Sequence, residues 1–276
     1  MKKTLALLLC LLTAVMLLAS CGGEGKIPEK LIEGAFERMA ELDAFELEMV
    51  IAMDVSMEMM GETETQSMPL TISLAGKDLK SETPKILMVM SMSMEDETMT
   101  ATAYMDGEWM YVTADGESYK LPIEDMSDMG AMADYSQQFE SLLVDFPEAV
   151  YSGVTVEKNG DGSKTVTLSL TAEQFESIFS ALSTELGESI GVVDEGVAIT
   201  YQPATVEVTV KGDLVSAYKL DFAMNISMDL DGDTATTEDV MSLTFSVGYD
   251  VTVVKTSGVT VTPPAGYQDF EEIPMY

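Results

Sequence analysis

The sequence predicts a β-rich α+β protein, a single curved antiparallel sheet with helices covering its concave apolar face. Three observations predict it. Apolar residues recur at every second position over runs of up to about fifteen residues, the period of a strand with one buried and one wetted face. Short Gly, Asp and Asn clusters separate these runs, as antiparallel hairpins require. A few other segments space their apolar residues at three and four, as helices do. Strands this long twist strongly, so one sheet of them curls, and its apolar side becomes the inner one.

In chain order, Ile27 to about Asp43 carries Leu31, Ile32, Ala35, Phe36, Met39 and Leu42 at helical spacing, with Pro28 near the first turn. Phe45, Leu47, Met49, Ile51, Met53, Val55, Met57 and Met59 then alternate against Glu46, Glu48, Asp54, Ser56 and Glu58. After a polar turn at 61–65, Met68, Leu70, Ile72 and Leu74 alternate, then Ile86, Met88, Met90, Met92 and Met94, then Met99, Ala101, Ala103 and Met105. Asp106-Gly107 carries the signature of a type I′ hairpin leading into Trp109 to Val112. Leu121-Pro122 breaks the pattern, and Met129 to Phe146 reads as weak helix.

Strands resume at Val154 to Val156 and, past Asn159 to Gly162, at Val166, Leu168 and Leu170. Thr171 with Gln174 forms a capping box for a helix bearing Phe175, Ile178, Phe179, Leu182 and Leu186, with Gly187 at its end. Val206 to Val210, Leu214 to Leu230 and Met241 to Val253 are the last alternating runs, turned at Lys211-Gly212-Asp213 and Asp231-Gly232-Asp233. Pro263-Pro264 and the tail to Tyr276 read as an edge or loop.

The chain's first residues set its destination. Lys2 and Lys3 precede an uncharged apolar run from Thr4 to Leu18, short of the roughly 20 residues of a membrane span and shaped like a secretory signal peptide. Leu18-Ala19-Ser20-Cys21 matches the lipobox of bacterial lipoproteins position by position. The match implies cleavage after residue 20 and a diacylglycerol thioether on Cys21, whose two acyl chains suffice for stable anchoring. Residues 21–26, with Gly22, Gly23 and Gly25, then form a flexible tether, and residues 27–276 are expected to be one domain.

Composition narrows the chemistry. The 48 acidic against 14 basic residues give a formal charge of −34, a surface that repels nucleic acid and anionic head groups. Histidine is absent, and Cys10 and Cys21 are the only cysteines. The usual catalytic triad and the usual soft metal sites therefore lack their residues. Acidic pairs such as Glu46 with Glu48, or Glu271 with Glu272, arise by chance among so many carboxylates. No catalytic residue and no cofactor is expected. Met-x-Met recurs from Met88 to Met94, but Cu(I) would need several thioethers to converge. Asp229 to Asp233 with Glu238 misses the EF-hand spacing of glycine and glutamate.

A lipobox, a tether, an amphipathic helix and long alternating strands interrupted by helix together resemble the LolA/LppX-like lipoproteins, and in particular their uncharacterised Gram-positive branch. The resemblance implies a half-barrel that holds helices in its concavity over an apolar cavity. It also implies roles in carrying lipids or lipid-modified proteins, or in envelope sensing. The 23 methionines concentrate on the apolar faces of the first four strands, and methionine adapts to ligands of variable shape as readily as it fills a core. The candidate ligand-contacting residues are Met49, Met53, Met57, Met88, Met90, Met92, Phe222, Met224 and Phe245. The leading expectation is thus a non-catalytic lipoprotein on the outer face of a bacterial membrane, binding a lipid or other apolar ligand between sheet and helices. The alternative is a structural or sensory module whose acidic surface meets a basic envelope protein; cation buffering by that surface is a third.

Overall fold

The computed structural model describes residues 27–59, 62–94, 97–114, 116–123, 154–177, 197–229 and 240–272. The signal segment, lipobox, tether, the 129–146 stretch, the helical run beyond residue 177 and the Asp231-Gly232-Asp233 turn lie outside the described residues.

Helix α1 spans Ile27–Ala40. Ile32 and Ala35 are buried on its inner face, and Leu31, Phe36 and Met39 pack beside them, so the stripe seen in the sequence is the one buried. Each large apolar side chain taken from water there contributes on the order of 1.5–3 kcal/mol. The helix lies against the strands Ala204–Lys211 and Leu214–Asp229, and Arg38 in its last turn reaches Asp213 at 3.7 Å.

Six strands follow as one meander: β1 Ala44–Met59, β2 Glu62–Lys77, β3 Lys85–Met94, β4 Glu97–Asp106, β5 Trp109–Ala114 and β6 Glu117–Pro122. After β7 Thr155–Lys158 and β8 Lys164–Leu170, residues 172–177 are helical. The chain then adds β9 Val197–Tyr201, β10 Ala204–Lys211, β11 Leu214–Asp229, β12 Val240–Lys255 and the two-residue β13 Glu271–Glu272. All thirteen form one curved, unclosed sheet in the order β13-β6-β5-β4-β3-β2-β1-β12-β11-β10-β8-β7, with β9 also on β11. The first and last long strands, β1 and β12, are thus central neighbours, and the meanders run outward from them. Every pairing is antiparallel except β13 on β6. We call the rim where β1 begins the lower rim and the rim where β1 turns into β2 the upper rim.

Register explains the burial. Met49 faces Ile72 on one side and Val251 on the other, and Ile51 faces Leu70 and Tyr249. Val206 links Leu220 to Leu168, and Val208 links Tyr218 to Val166. These residues share one face and form one buried cluster with Ile32, Ala35 and Phe175. The concave face over β1, β2, β8, β10, β11 and β12 is therefore a packed core, roofed by α1 and by the helical turn at 172–177. The capping box is formed: the Thr171 backbone N–H donates to Gln174 Oε1 at 2.9 Å, and the Gln174 N–H donates to Thr171 Oγ1 at 3.2 Å.

Several elements differ from the sequence reading. The 106–109 hairpin is not type I′, because its central residues are Gly107 and Glu108; Gly107 has φ +65° and Glu108 does not have a positive φ. Type I′ needs positive φ at both positions, and a glycine-first turn needs it only at the first. Strand β6 forms across Leu121-Pro122 because Pro122 ends the strand at its pairing with Trp109, where a missing N–H is tolerated. Strands β9 and β10 lie end to end along β11, broken at Pro203, with the Gln202 N–H donating to the Ala223 carbonyl at 2.9 Å.

The tail is more ordered than a loop. A 3-10 turn at Tyr267–Asp269 precedes β13, and it sets Tyr267 against Tyr111 at 4.8 Å and Tyr104 at 5.3 Å. Phe270 adds a contact to Tyr111 at 6.1 Å. Tyr104 and Tyr111 point to the convex face, opposite Ala103 and Val112, and are buried there at 2% and 9% exposure. The tail gives that side of the sheet a small aromatic core of its own.

Candidate functional site

The concave face divides at mid-height. Below the division it is filled. Phe175 is fully buried, its ring centroid 5.2 Å from Phe222 and 5.7 Å from Tyr201, and Phe222 lies parallel to Tyr249 at 6.2 Å.

Above it the same face carries two apolar rungs that run straight across four strands. One is Val55–Phe245–Met224–Tyr201 and the next, nearer the upper rim, is Met57–Leu243–Ile226–Ile199. Four strands at about 4.8 Å spacing make each rung about 14 Å across. Val55, Met57, Met224, Ile226, Leu243 and Phe245 are only half-buried, and Ile199 is 41% exposed. These seven stand outside the buried cluster that fills the lower half.

The nine predicted residues therefore separate. Met49, Met90 and Phe222 are core, with exposures of 1%, 8% and 8%. Met53, Met88 and Met92 are half-buried against that core. Met57, Met224 and Phe245 lie on the upper, half-buried rungs. Sequence reasoning passed over Val55, Ile199, Tyr201, Ile226 and Leu243. The signal for all five was present, since Val55, Ile226 and Leu243 share parity with chosen residues and Ile199 and Tyr201 alternate. What was missing was the register that aligns them.

Polar groups frame the rungs on one side. Glu64 stands directly across from Met57, and Gln66 across from Val55, both on β2 and exposed. Asp161, far from the rungs, accepts from Ser163 and Lys211, and these bonds hold its carboxyl well below the usual range. Two open depressions lie away from the rungs. One, of about 450 Å³, sits at the lower rim between Asp43, Lys80 and Lys85; the other, of about 400 Å³, follows Ala52, Gly248 and Ala223 on the convex side. None of the predicted methionines lines either. Among the described residues no three His, Cys, Asp or Glu side chains are placed to hold a metal ion, and no helix is long and apolar enough to cross a membrane.

The chain belongs to a family of unknown function, DUF6612, which matches residues 28–255. No curated protein matches it. Among solved structures it is similar to LprF from Mycobacterium bovis, at 13% identity and a TM-score of 0.38 over 86% of this chain and 96% of that one. An outer membrane lipoprotein-sorting protein domain from Vibrio parahaemolyticus matches at 12% identity and a TM-score of 0.23, over 85% of this chain and 94% of that one. A DUF1329 family protein from Desulfovibrio piger matches at 13% identity and 0.21, over 81% and 91%. With TM-scores below 0.5, none of them carries the functional argument, which rests on this chain's own residues.

Proposed function

We propose that this is a non-catalytic lipoprotein, anchored through Cys21 on the outer face of a bacterial membrane, that holds a hydrophobic ligand against the upper concave face. One observation carries the reading: seven apolar side chains on two continuous cross-strand rungs are left half-buried or exposed beside a core that is otherwise packed. Contiguous apolar surface of this kind marks a binding site on a soluble domain. Covering a further 200 Å² of it would contribute about 5 kcal/mol at 25 cal/mol per Å² before the costs of association. Methionine, leucine and phenylalanine side chains there can adjust to chains of different length.

The test is binding of a neutral hydrophobic fluorophore, N-phenyl-1-naphthylamine. Saturable enhancement that is lost in a Met224→Asp/Phe245→Asp variant and kept in Met49→Leu is the expected result. Unchanged binding by the double variant contradicts the assignment.

A further inference from the structure

The chain's basic residues are not scattered over the sheet. From β2 onward Lys77, Lys80, Lys85, Lys158, Lys164, Lys211 and Lys255 all sit at the lower ends of strands or in the lower turns. Lys120 lies low on β6 and Lys219 low on β11, paired to Asp250 at 2.8 Å. Lys219, Asp250 and Val50 stand on one line across β11, β12 and β1. Above that line no described strand carries lysine or arginine. The sequence says the same without the fold: residues 39–76, 86–119, 165–210 and 220–254 contain none. The two upper rungs lie wholly above the line.

Acidic residues show no such segregation. Glu64 faces Met57 directly, and Glu173 and Glu176 are exposed on the helical turn that leaves β8. A ligand seated on the rungs therefore has Glu64 beside it and no lysine or arginine on the strands beneath it. An anionic head group there would add like charge to a surface already carrying −34 overall, while a cationic one would gain from it.

We infer that the ligand class for this face is a cationic amphiphile: an apolar chain laid along the rungs, with a positively charged head beside Glu64. The inference rests on the apolar site proposed above and adds the sign of the head group.

The experiment uses the full lipidated chain in phosphatidylcholine nanodiscs. Two photoreactive probes share one diazirine-bearing twelve-carbon chain, one ending in trimethylammonium and the other in carboxylate. Labelled residues are located by peptide mass spectrometry, and the ratio of cationic to anionic labelling on β1, β11 and β12 is compared with that of Glu64→Gln, which cancels membrane partitioning. A wild-type ratio of about ten or more that drops severalfold in Glu64→Gln and in high salt is expected. Labelling of the rungs by the carboxylate probe at equal or greater yield overturns the charge assignment and leaves the apolar site standing. If neither probe labels the rungs, both readings fall.

Discussion

Methionine has two jobs on one face of this sheet. Met49, 1% exposed between Ile72 and Val251, is a core residue; Met57, eight positions on and half-buried beside Glu64, is surface. Met49→Ala should cost about 2–5 kcal/mol in urea unfolding, whereas Met57→Ala should cost less than about 1 kcal/mol and weaken ligand binding instead. Equal losses of stability would show the upper face to be packed like the lower. Phe175→Ala should be among the most damaging changes, at about 3–5 kcal/mol, since its ring touches both Phe222 and Tyr201. Tyrosine burial gives a pH signature. Burial raises the pKa of the Tyr249 hydroxyl, and burial followed by the nearby Asp106 does the same for Tyr104. A raised folded-state pKa means the neutral phenol is the form the fold favours. Its contribution is complete below about pH 10 and is lost as pH climbs above that value toward the folded pKa. Melting temperature should therefore fall from about pH 10 upward, and less steeply in Tyr249→Phe; parallel curves for the two proteins would contradict this.

At the scale of elements, the sequence announced what periodicity and caps can announce. The long strands β1, β11 and β12, helix α1 and the Thr171–Gln174 capping box were all legible, because a two-residue or three-to-four-residue rhythm depends only on which side is buried. Thr171→Ala should cost about 1 kcal/mol, read as a shift in unfolding midpoint. Partnership was not legible. Nothing local says that β12 returns to pair with β1, and only that pairing aligns Val55 with Phe245 and Met57 with Leu243 into rungs. Turn geometry failed for the same reason at Gly107, where pairing Asp106 with Trp109 moved the turn on by one residue. The tail reads correctly as loop and edge, but its docking was not legible, because Tyr104 and Tyr111 lie on the face that alternation gives to solvent; Tyr267 and Phe270, over 150 residues later, are what cover them. Removing residues 259–276 should expose that aromatic cluster and lower the melting temperature, yet leave fluorophore binding on the concave side intact. Loss of binding along with the tail would place the ligand on the wrong face.

For the whole molecule, charge and shape act together. A formal charge of −34 over the whole chain stores self-repulsion. Raising salt from about 20 mM to 500 mM, which shortens the Debye length severalfold, should raise the melting temperature by about 2–4 °C per kcal/mol regained. The described ion pairs involve Arg38, Lys211, Lys219 and Lys255, all at the lower end, so salt weakens little at the upper end that it does not also relieve. Among the described residues the lower half is thus a packed core, and the upper half is apolar, acidic and only half-buried. The most direct test of that division is a native mass spectrum of the protein gently extracted from its own membrane, taken beside that of Phe245→Asp. The account predicts a wild-type complex carrying one additional amphiphile mass that the variant lacks. A wild-type spectrum showing only the bare lipoprotein, or an extra mass that the variant keeps, would contradict it.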